Sequence, residues 1–371
     1  MAVLNFCGWE TGDFSEIQSG TGTFSISTTT VRTGLYSLRC NPTGTAIGNN
    51  RFAAISTAGV ATTSFNVPSL YSRGYFRIAL APASADEEFY VVLDTSGTAK
   101  ASFRINSSRQ IVVYNNADTL VSTGATALAL DTWYRIEILT STGAGSQPYE
   151  VRIDGAVELS GTMNMLTNNH GSVRCGKAIN HNGQSIDFFY DDWLWSDSGF
   201  PGEGQCVRLS PNANGTVQQF TAGTNASNHL EVDEAVTDGD TTYVASNGTA
   251  NQTALFGCDP MPPASVINSV KAWARGRSVS GTSATRVRLS SGGVNDDTVD
   301  ANWTTSYVNR FNLSNVDPFT GAPWLHGAVS AAEVGVVESN AIVNRLTTTA
   351  IFADYVPGSA VVPNSNFLAL L

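Results

Sequence analysis

Asp187, Asp191 and Asp192 are the densest group of acids beside aromatic residues in this 371-residue chain, in the run Asp187-Phe188-Phe189-Tyr190-Asp191-Asp192-Trp193-Leu194-Trp195. Carboxylates are hard oxygen donors, and calcium takes about six to eight oxygens. Two of these aspartates with Asn182 or backbone carbonyls therefore make a calcium candidate. The competing reading is structural, with the side chains capping backbone amides at a strand end. Trp193, Trp195, Trp303 and Trp324 are candidates for stacking a sugar ring, because an indole offers a flat apolar face at small entropic cost. Against that, Trp193 and Trp195 share one face of an extended strand, a placement that suits a core.

Catalysis has less to build on. Retaining glycan cleavage needs two carboxylates on one face, about 5–5.5 Å apart. The corresponding Glu-x-Asp-x-x-Glu strand is absent. Glu231-Val232-Asp233-Glu234 lacks the third acid, and Glu87-Glu88 in an extended strand points its side chains to opposite faces. His170, His181, His229 and His326 lie far apart in sequence and form no His-x-x-x-His pair. No Gly-x-Ser-x-Gly elbow and no Walker-type glycine loop occurs. No catalytic residue, and no cofactor beyond calcium, is expected.

The elements that must hold these residues are strands. Thirty-four glycines and a charged fraction of only 14% suit many strands joined by tight turns. Lys100, Lys177 and Lys271 are the only lysines, and long Glu/Lys/Leu stretches are missing, so helix is expected to be scarce. Period-two alternation recurs in Phe89/Val91/Leu93, Phe103/Ile105, Ile111/Val113, Tyr134/Ile136/Ile138 and Tyr149/Val151/Ile153. It recurs again in Val207/Leu209, Val270/Ala272/Ala274, Val287/Leu289 and Val334/Val336. Turn pairs such as Ser96-Gly97, Asn115-Asn116 and Asp154-Gly155 separate the runs. The expected class is all-β, with two antiparallel β-sandwiches in tandem. The turn-rich segment Ser196-Asp197-Ser198-Gly199-Phe200-Pro201-Gly202-Glu203-Gly204 divides residues 1–200 from 201–371.

Charge narrows the partners. Twenty basic against 31 acidic residues leave a net charge of −11, which disfavours direct nucleic-acid binding because phosphate contacts need clustered cations. No run of about 18 apolar residues calls for a membrane span. Cys7, Cys40, Cys175, Cys206 and Cys258 are odd in number and widely spaced, the pattern of buried free thiols. Met1 to Glu10 has neither a basic nor an apolar segment of the secretory kind, so synthesis in a cytoplasm without a signal peptide is expected.

Several motifs occur in the order seen in concanavalin A/laminin-G-like jelly rolls, which residues 1–200 resemble. They are Gly8-Trp9-Glu10-Thr11-Gly12-Asp13, Val31-Arg32-Thr33-Gly34-Leu35-Tyr36-Ser37-Leu38-Arg39, Gly74-Tyr75-Phe76-Arg77-Ile78, Thr132-Trp133-Tyr134-Arg135-Ile136-Glu137, Val151-Arg152-Ile153-Asp154-Gly155 and Phe189-Tyr190-Asp191-Asp192. Residues 201–371 resemble a β-sandwich module of tailed-phage virion proteins. The resemblance rests on Asp238-Gly239-Asp240-Thr241-Thr242-Tyr243-Val244, Trp303-Thr304-Thr305 with Tyr307, and Asp317-Pro318-Phe319-Thr320-Gly321-Ala322-Pro323-Trp324. In that pattern a short helical or irregular stretch over about Leu325–Ala332 precedes an edge strand Val334–Glu338.

These resemblances imply a non-enzymatic structural component of a bacteriophage virion, on its surface, most readily an outer capsid decoration. Its partners would be other virion proteins such as the major capsid protein or tail components, and copies of itself in a homo-oligomer. The alternative they imply is a lectin-like adhesin module of a tail, baseplate or fibre that binds a host surface glycan.

Overall fold

The computed structural model describes residues 1–17, 19–44, 46–53, 65–177 and 184–358. Strand accounts for 53% and helix for 3%, so the chain is all-β. Four antiparallel sheets carry the architecture.

The first sheet runs in the order Ala156–Asn164, Ser146–Ile153, Trp133–Ser141, Ser69–Leu80, Asp187–Ser196, Ser37–Cys40, Phe24–Ser27, and Val3–Cys7 also pairs with Asp187–Ser196. The second runs Leu120–Thr123, Ile111–Asn115, Ala99–Ile105, Glu87–Asp94, His170–Lys177, Gly48–Ala53, Ser19–Gly22. One aromatic-rich core, with Trp9, Phe76, Phe89, Tyr90, Tyr190 and Trp193 among its members, lies between these two sheets. The third sheet runs Thr221–Ala222, Val244–Ala245, Asn344–Pro357, Ala264–Ser278, Val308–Ser314, and Gln205–Leu209 also pairs with Asn344–Pro357. The fourth runs Pro211–Gln218, Thr253–Cys258, Glu333–Glu338, Ser283–Ser291, Val294–Asp297, and Ala301–Trp303 pairs with Ser283–Ser291. A second core built on Leu209, Val270, Ala272, Ala274, Val287, Leu289, Val334 and Val336 fills the space between sheets three and four.

The inward residues follow the alternation in most strands. Ile136 and Ile138, Val151 and Ile153, Phe103 and Ile105, and Ile111 and Val113 all enter the first core. Glu87–Asp94 departs from the pattern, because the pairing with Ala99–Ile105 shifts register between Glu88 and Tyr90. Phe89 is therefore joined in the core by Tyr90 and Val92, while Val91 and Leu93 are buried outside it. A bulge adds one residue to one strand and so exchanges its faces beyond that point. Asp154 (φ 51°) and Gly155 (φ 90°) make the left-handed turn between Ser146–Ile153 and Ala156–Asn164, a conformation that Asp tolerates and Gly prefers.

The expected irregular stretch contains a short helix, His326–Ser330. The strand after it is not an edge. Glu333–Glu338 pairs with Thr253–Cys258 on one side and Ser283–Ser291 on the other. Gly335 makes this interior position workable, since a Cβ there would lie 1.8 Å from the Ala254 carbonyl oxygen. All five cysteines are buried. No helix among the described residues is long and apolar enough to cross a membrane.

Candidate functional site

The chemistry-bearing residues converge where the first sheet meets the third. The strand Asp187–Ser196 is buried at nearly every position, so both of its faces are covered. Its inner face presents Phe188, Tyr190, Trp193 and Trp195 to the first core, while Leu194 faces outward with Val3 and Phe6. Those three pack with Cys206 against Trp273, Phe311, Ala350 and Phe352 of the third sheet. Gly8 allows the close approach, because a Cβ on it would sit 2.6 Å from the Cys206 Cβ. The two sandwiches are thus stacked face to face.

Charges are sealed inside this seam. Arg73 and Asp354, both without exposed surface, form an ion pair at 2.6 Å across it. Arg73 Nη1 also donates to the Asp192 carbonyl (2.6 Å), and Asn268 Nδ2 donates to Asp354 Oδ1 (2.7 Å). Burial raises the Asp354 carboxyl above its ordinary range, against the opposing pull of Arg73. A second bridge joins Lys271 to Glu16 at 3.3 Å. The Lys271 ammonium donates to the Phe6 carbonyl (2.8 Å) and lies 4.6, 5.3 and 5.4 Å from the ring centroids of Phe6, Phe311 and Phe352. Paired and hydrogen-bonded in this way, the buried charges are satisfied across the seam, and losing one partner strands the other.

Asp191 and Asp192 sit at a bulge in the same strand, where the pairing with Ser69–Leu80 shifts between Asp191 and Leu194 and Asp192 takes φ 51°. Gly74 opposite makes room for the Trp193 ring, which a Cβ would approach to 2.0 Å. Asp191 Oδ2 accepts from the Arg32 amide (2.9 Å) and its Oδ1 from the Asp192 amide (2.9 Å). Asp192 accepts from Arg32 Nη1 (2.6 Å), Thr33 Oγ1 (2.8 Å) and the Cys206 amide (2.6 Å). Burial and the adjacent Asp192 carboxylate push Asp191 well above the usual carboxylate range. The Arg32 guanidinium is stacked 3.2 Å from the Tyr75 ring centroid.

The three acids of the calcium reading are not brought together. Asp187 lies at the far end of the strand in a two-pronged pair with Arg39 (2.8 and 2.7 Å), apart from the other two acids. The oxygens of Asp191 and Asp192 are taken by amide, hydroxyl and guanidinium donors. Among the described residues no group of three His, Cys, Asp or Glu side chains is placed to hold a metal ion. Asn182 and His181 lie outside the described residues. The tryptophans considered for sugar stacking follow the core placement that was its alternative. Trp193, Trp195 and Trp303 have no exposed surface and Trp324 has 3%, so their rings pack in the cores and none offers a face to a ligand.

Beside the seam a cleft of about 320 Å³ opens between the sandwiches, lined by Glu10, Leu35 and Tyr36 on one side and by Arg208, Ser210 and Asp259 on the other. Glu10 is 5% exposed and accepts from the Leu35 amide at 3.0 Å. Burial pushes its carboxyl up to about 8, with Glu16 and Asp192 adding to the shift. Arg208 donates to the carbonyls of Glu234 and Ala235, and burial lowers its guanidinium. Two carboxyls, a guanidinium, a phenol and a hydroxyl around such a space can bind polar groups.

Arg73, Asp354, Glu16, Lys271 and Arg208 were not expected from the sequence to act together. Lys271 and Asp354 did carry a signal, since each is a lone charge in an otherwise apolar run: Val270-Lys271-Ala272-Trp273-Ala274 and Ala350-Ile351-Phe352-Ala353-Asp354-Tyr355-Val356.

No protein-family model and no curated protein matches the sequence. Among solved structures the chain is similar to an endo-β-1,4-glucuronan lyase from the fungus Trichoderma reesei, at 11% identity and TM-score 0.40 over 53% of this chain and 96% of that one. It is similar to lectin II from Ulex europaeus at 10% identity and TM-score 0.38, over 53% and 99%. A sialidase aligns at 8% identity and TM-score 0.36 over 49% of this chain, which spans only 19% of the sialidase's length. Two enzymes and a lectin at such distances carry no argument about activity.

Proposed function

We propose that the chain is a non-enzymatic structural protein of a bacteriophage virion, an outer capsid decoration or accessory component that works through subunit contacts. The observation that supports the structural part of this reading is the seam. The chain's buried ion pairs hold one sandwich against the other, and the result is a stiff double sandwich whose loops and edges are left for contacts with neighbours. The virion setting rests on the sequence resemblance of residues 201–371. Mass spectrometry of purified particles, with copies per particle counted and the chain located in a density map, tests it. A stoichiometric copy number on the particle surface is expected, and absence from particles overturns it.

A second reading, a glycan-binding module, is favoured by the cleft, where Tyr36 stands with Glu10, Arg208, Ser210 and Asp259 in a space large enough for a sugar. On this reading a glycan array returns specific binding, weakened by Tyr36→Ala. A blank array together with abundant presence in particles leaves the structural role alone.

A further inference from the structure

The third sheet does not end at the seam. From Lys271 on, odd-numbered residues of Ala264–Ser278 face outward, Lys271 and Trp273 under the first sandwich, and the same face then continues to Arg275 and Arg277. There it carries a row across four neighbouring chain segments. Tyr243 precedes Val244–Ala245, Arg345 lies in Asn344–Pro357, Arg277 and Arg275 lie in Ala264–Ser278, and Tyr307 precedes Val308–Ser314. Three strand spacings make the row roughly 14 Å long.

Its composition is unusual for a chain of net charge −11. Arg277 and Arg345 are direct cross-strand partners, an arrangement of like charges that costs stability. Asp240 stands between them, 2.6 Å from Arg277 Nη2 and 3.0 Å from Arg345 Nη1. Arg275 donates to Asn309 Oδ1 (3.2 Å), and no ion pair to it is found among the described residues. Three guanidinium groups therefore face one carboxylate. Each lies near a phenol ring, Arg345 at 4.1 Å from Tyr243, and Arg275 and Arg277 at 5.4 and 5.7 Å from Tyr307. The Arg277 and Arg345 side chains keep 19% and 26% of their surface open.

We propose that this Tyr243–Arg345–Arg277–Arg275–Tyr307 row binds an acidic polysaccharide, with uronate carboxylates on the guanidinium groups and pyranose faces against the two phenol rings. Guanidinium matches carboxylate with paired N–H groups, and a cation already braced by an aromatic face is held in place for it. The proposal rests on the glycan-binding reading, but not on the cleft.

The test is calorimetric titration of the whole chain with oligogalacturonate, a neutral dextrin of equal length and a single-stranded DNA oligonucleotide. Oligogalacturonate is expected to bind, with affinity falling as NaCl rises, and the other two to bind at least tenfold more weakly. Arg275→Gln, which leaves no carboxylate unpaired, and Tyr307→Ala are each expected to weaken binding about tenfold or more with an unchanged melting temperature. Arg286→Gln, on the fourth sheet, serves as the control and is expected to leave binding intact. Oligogalacturonate binding that survives both row variants overturns the site while the glycan-binding reading stands. Equal binding of dextrin or DNA overturns the ligand class. Failure of every saccharide overturns the site and the glycan-binding reading together.

Discussion

Lys271 and Arg277 stand on one strand and one face of the third sheet, yet the first is 1% exposed and the second 19%. Around Lys271 the face is covered by Phe6 and Glu16, and the cation is matched by one carboxylate, a carbonyl and three rings. Around Arg277 the same alternation continues with no second sandwich above it, and cations outnumber acids. The covered half uses its charges to fix one partner that is always present. The open half has the same chemistry with capacity left over, which is the condition for recognising something that comes and goes.

Breaking the covered half should have the largest effect. Asp354→Ala leaves the Arg73 guanidinium buried without its carboxylate and is expected to cost about 3–5 kcal/mol in urea unfolding. Replacing both, Arg73→Met with Asp354→Leu, should restore most of that loss, because no charge is then stranded. A single substitution costing under about 1 kcal/mol would mean that the seam is not held by this pair.

Glu10, at the edge of the seam, gives the next effect, and it depends on pH. Its carboxyl is raised from 4.5 to about 8 in the folded chain, so the folded state binds the proton more tightly than the unfolded one. The resulting stabilisation is complete below pH about 4.5 and is lost as pH rises through about 8. Glu10→Gln should therefore flatten the fall in stability over that window and leave the variant more stable than the parent above it, by on the order of a few kcal/mol. Urea midpoints measured in parallel at several pH values check the sign, and parallel curves would show that Glu10 titrates normally.

Gly74→Ala pushes a methyl group into the Trp193 ring and should cost about 1–3 kcal/mol, read as a lower melting temperature without loss of the two-sandwich fold. On the open half, Asp240→Asn unshields Arg277 from Arg345. The expected cost is about 1 kcal/mol at most, shrinking as salt is added. A larger, salt-independent loss would place Asp240 with the covered half.

Much of the strand pattern was legible. Ile136/Ile138, Val270/Ala272/Ala274 and Val334/Val336 alternate in sequence and enter cores as alternation requires. What alternation cannot report is what covers the other face. Lys271 and Arg277 are both cations at odd positions of one strand, and only long-range packing separates them. Bulges hid more. The insertions at Glu88 and at Asp191 exchange faces locally, so Tyr90 enters the core and Asp191 and Asp192 turn to the Arg32 loop. The indole rings, which the sequence offered either to a sugar or to a core, are among the largest fillers of the cores, for the ordinary reason that a flat apolar face is worth most when both sides are covered.

The seam also ties together distant parts of the chain. The Phe6 carbonyl waits for Lys271, 265 positions on, and Arg73 for Asp354, 281 positions on. During synthesis the first sandwich therefore emerges with Phe6, Leu194 and an unpaired Arg73 on its outer face, and it keeps that sticky, charged surface until the last long strand is made. Contacts so remote in sequence form slowly, since a large loop must close before they return any stability. The interval between the two sandwiches is thus the period in which this chain is most open to capture by chaperones or by its own copies, and a truncation before Asn344 would make that interval permanent.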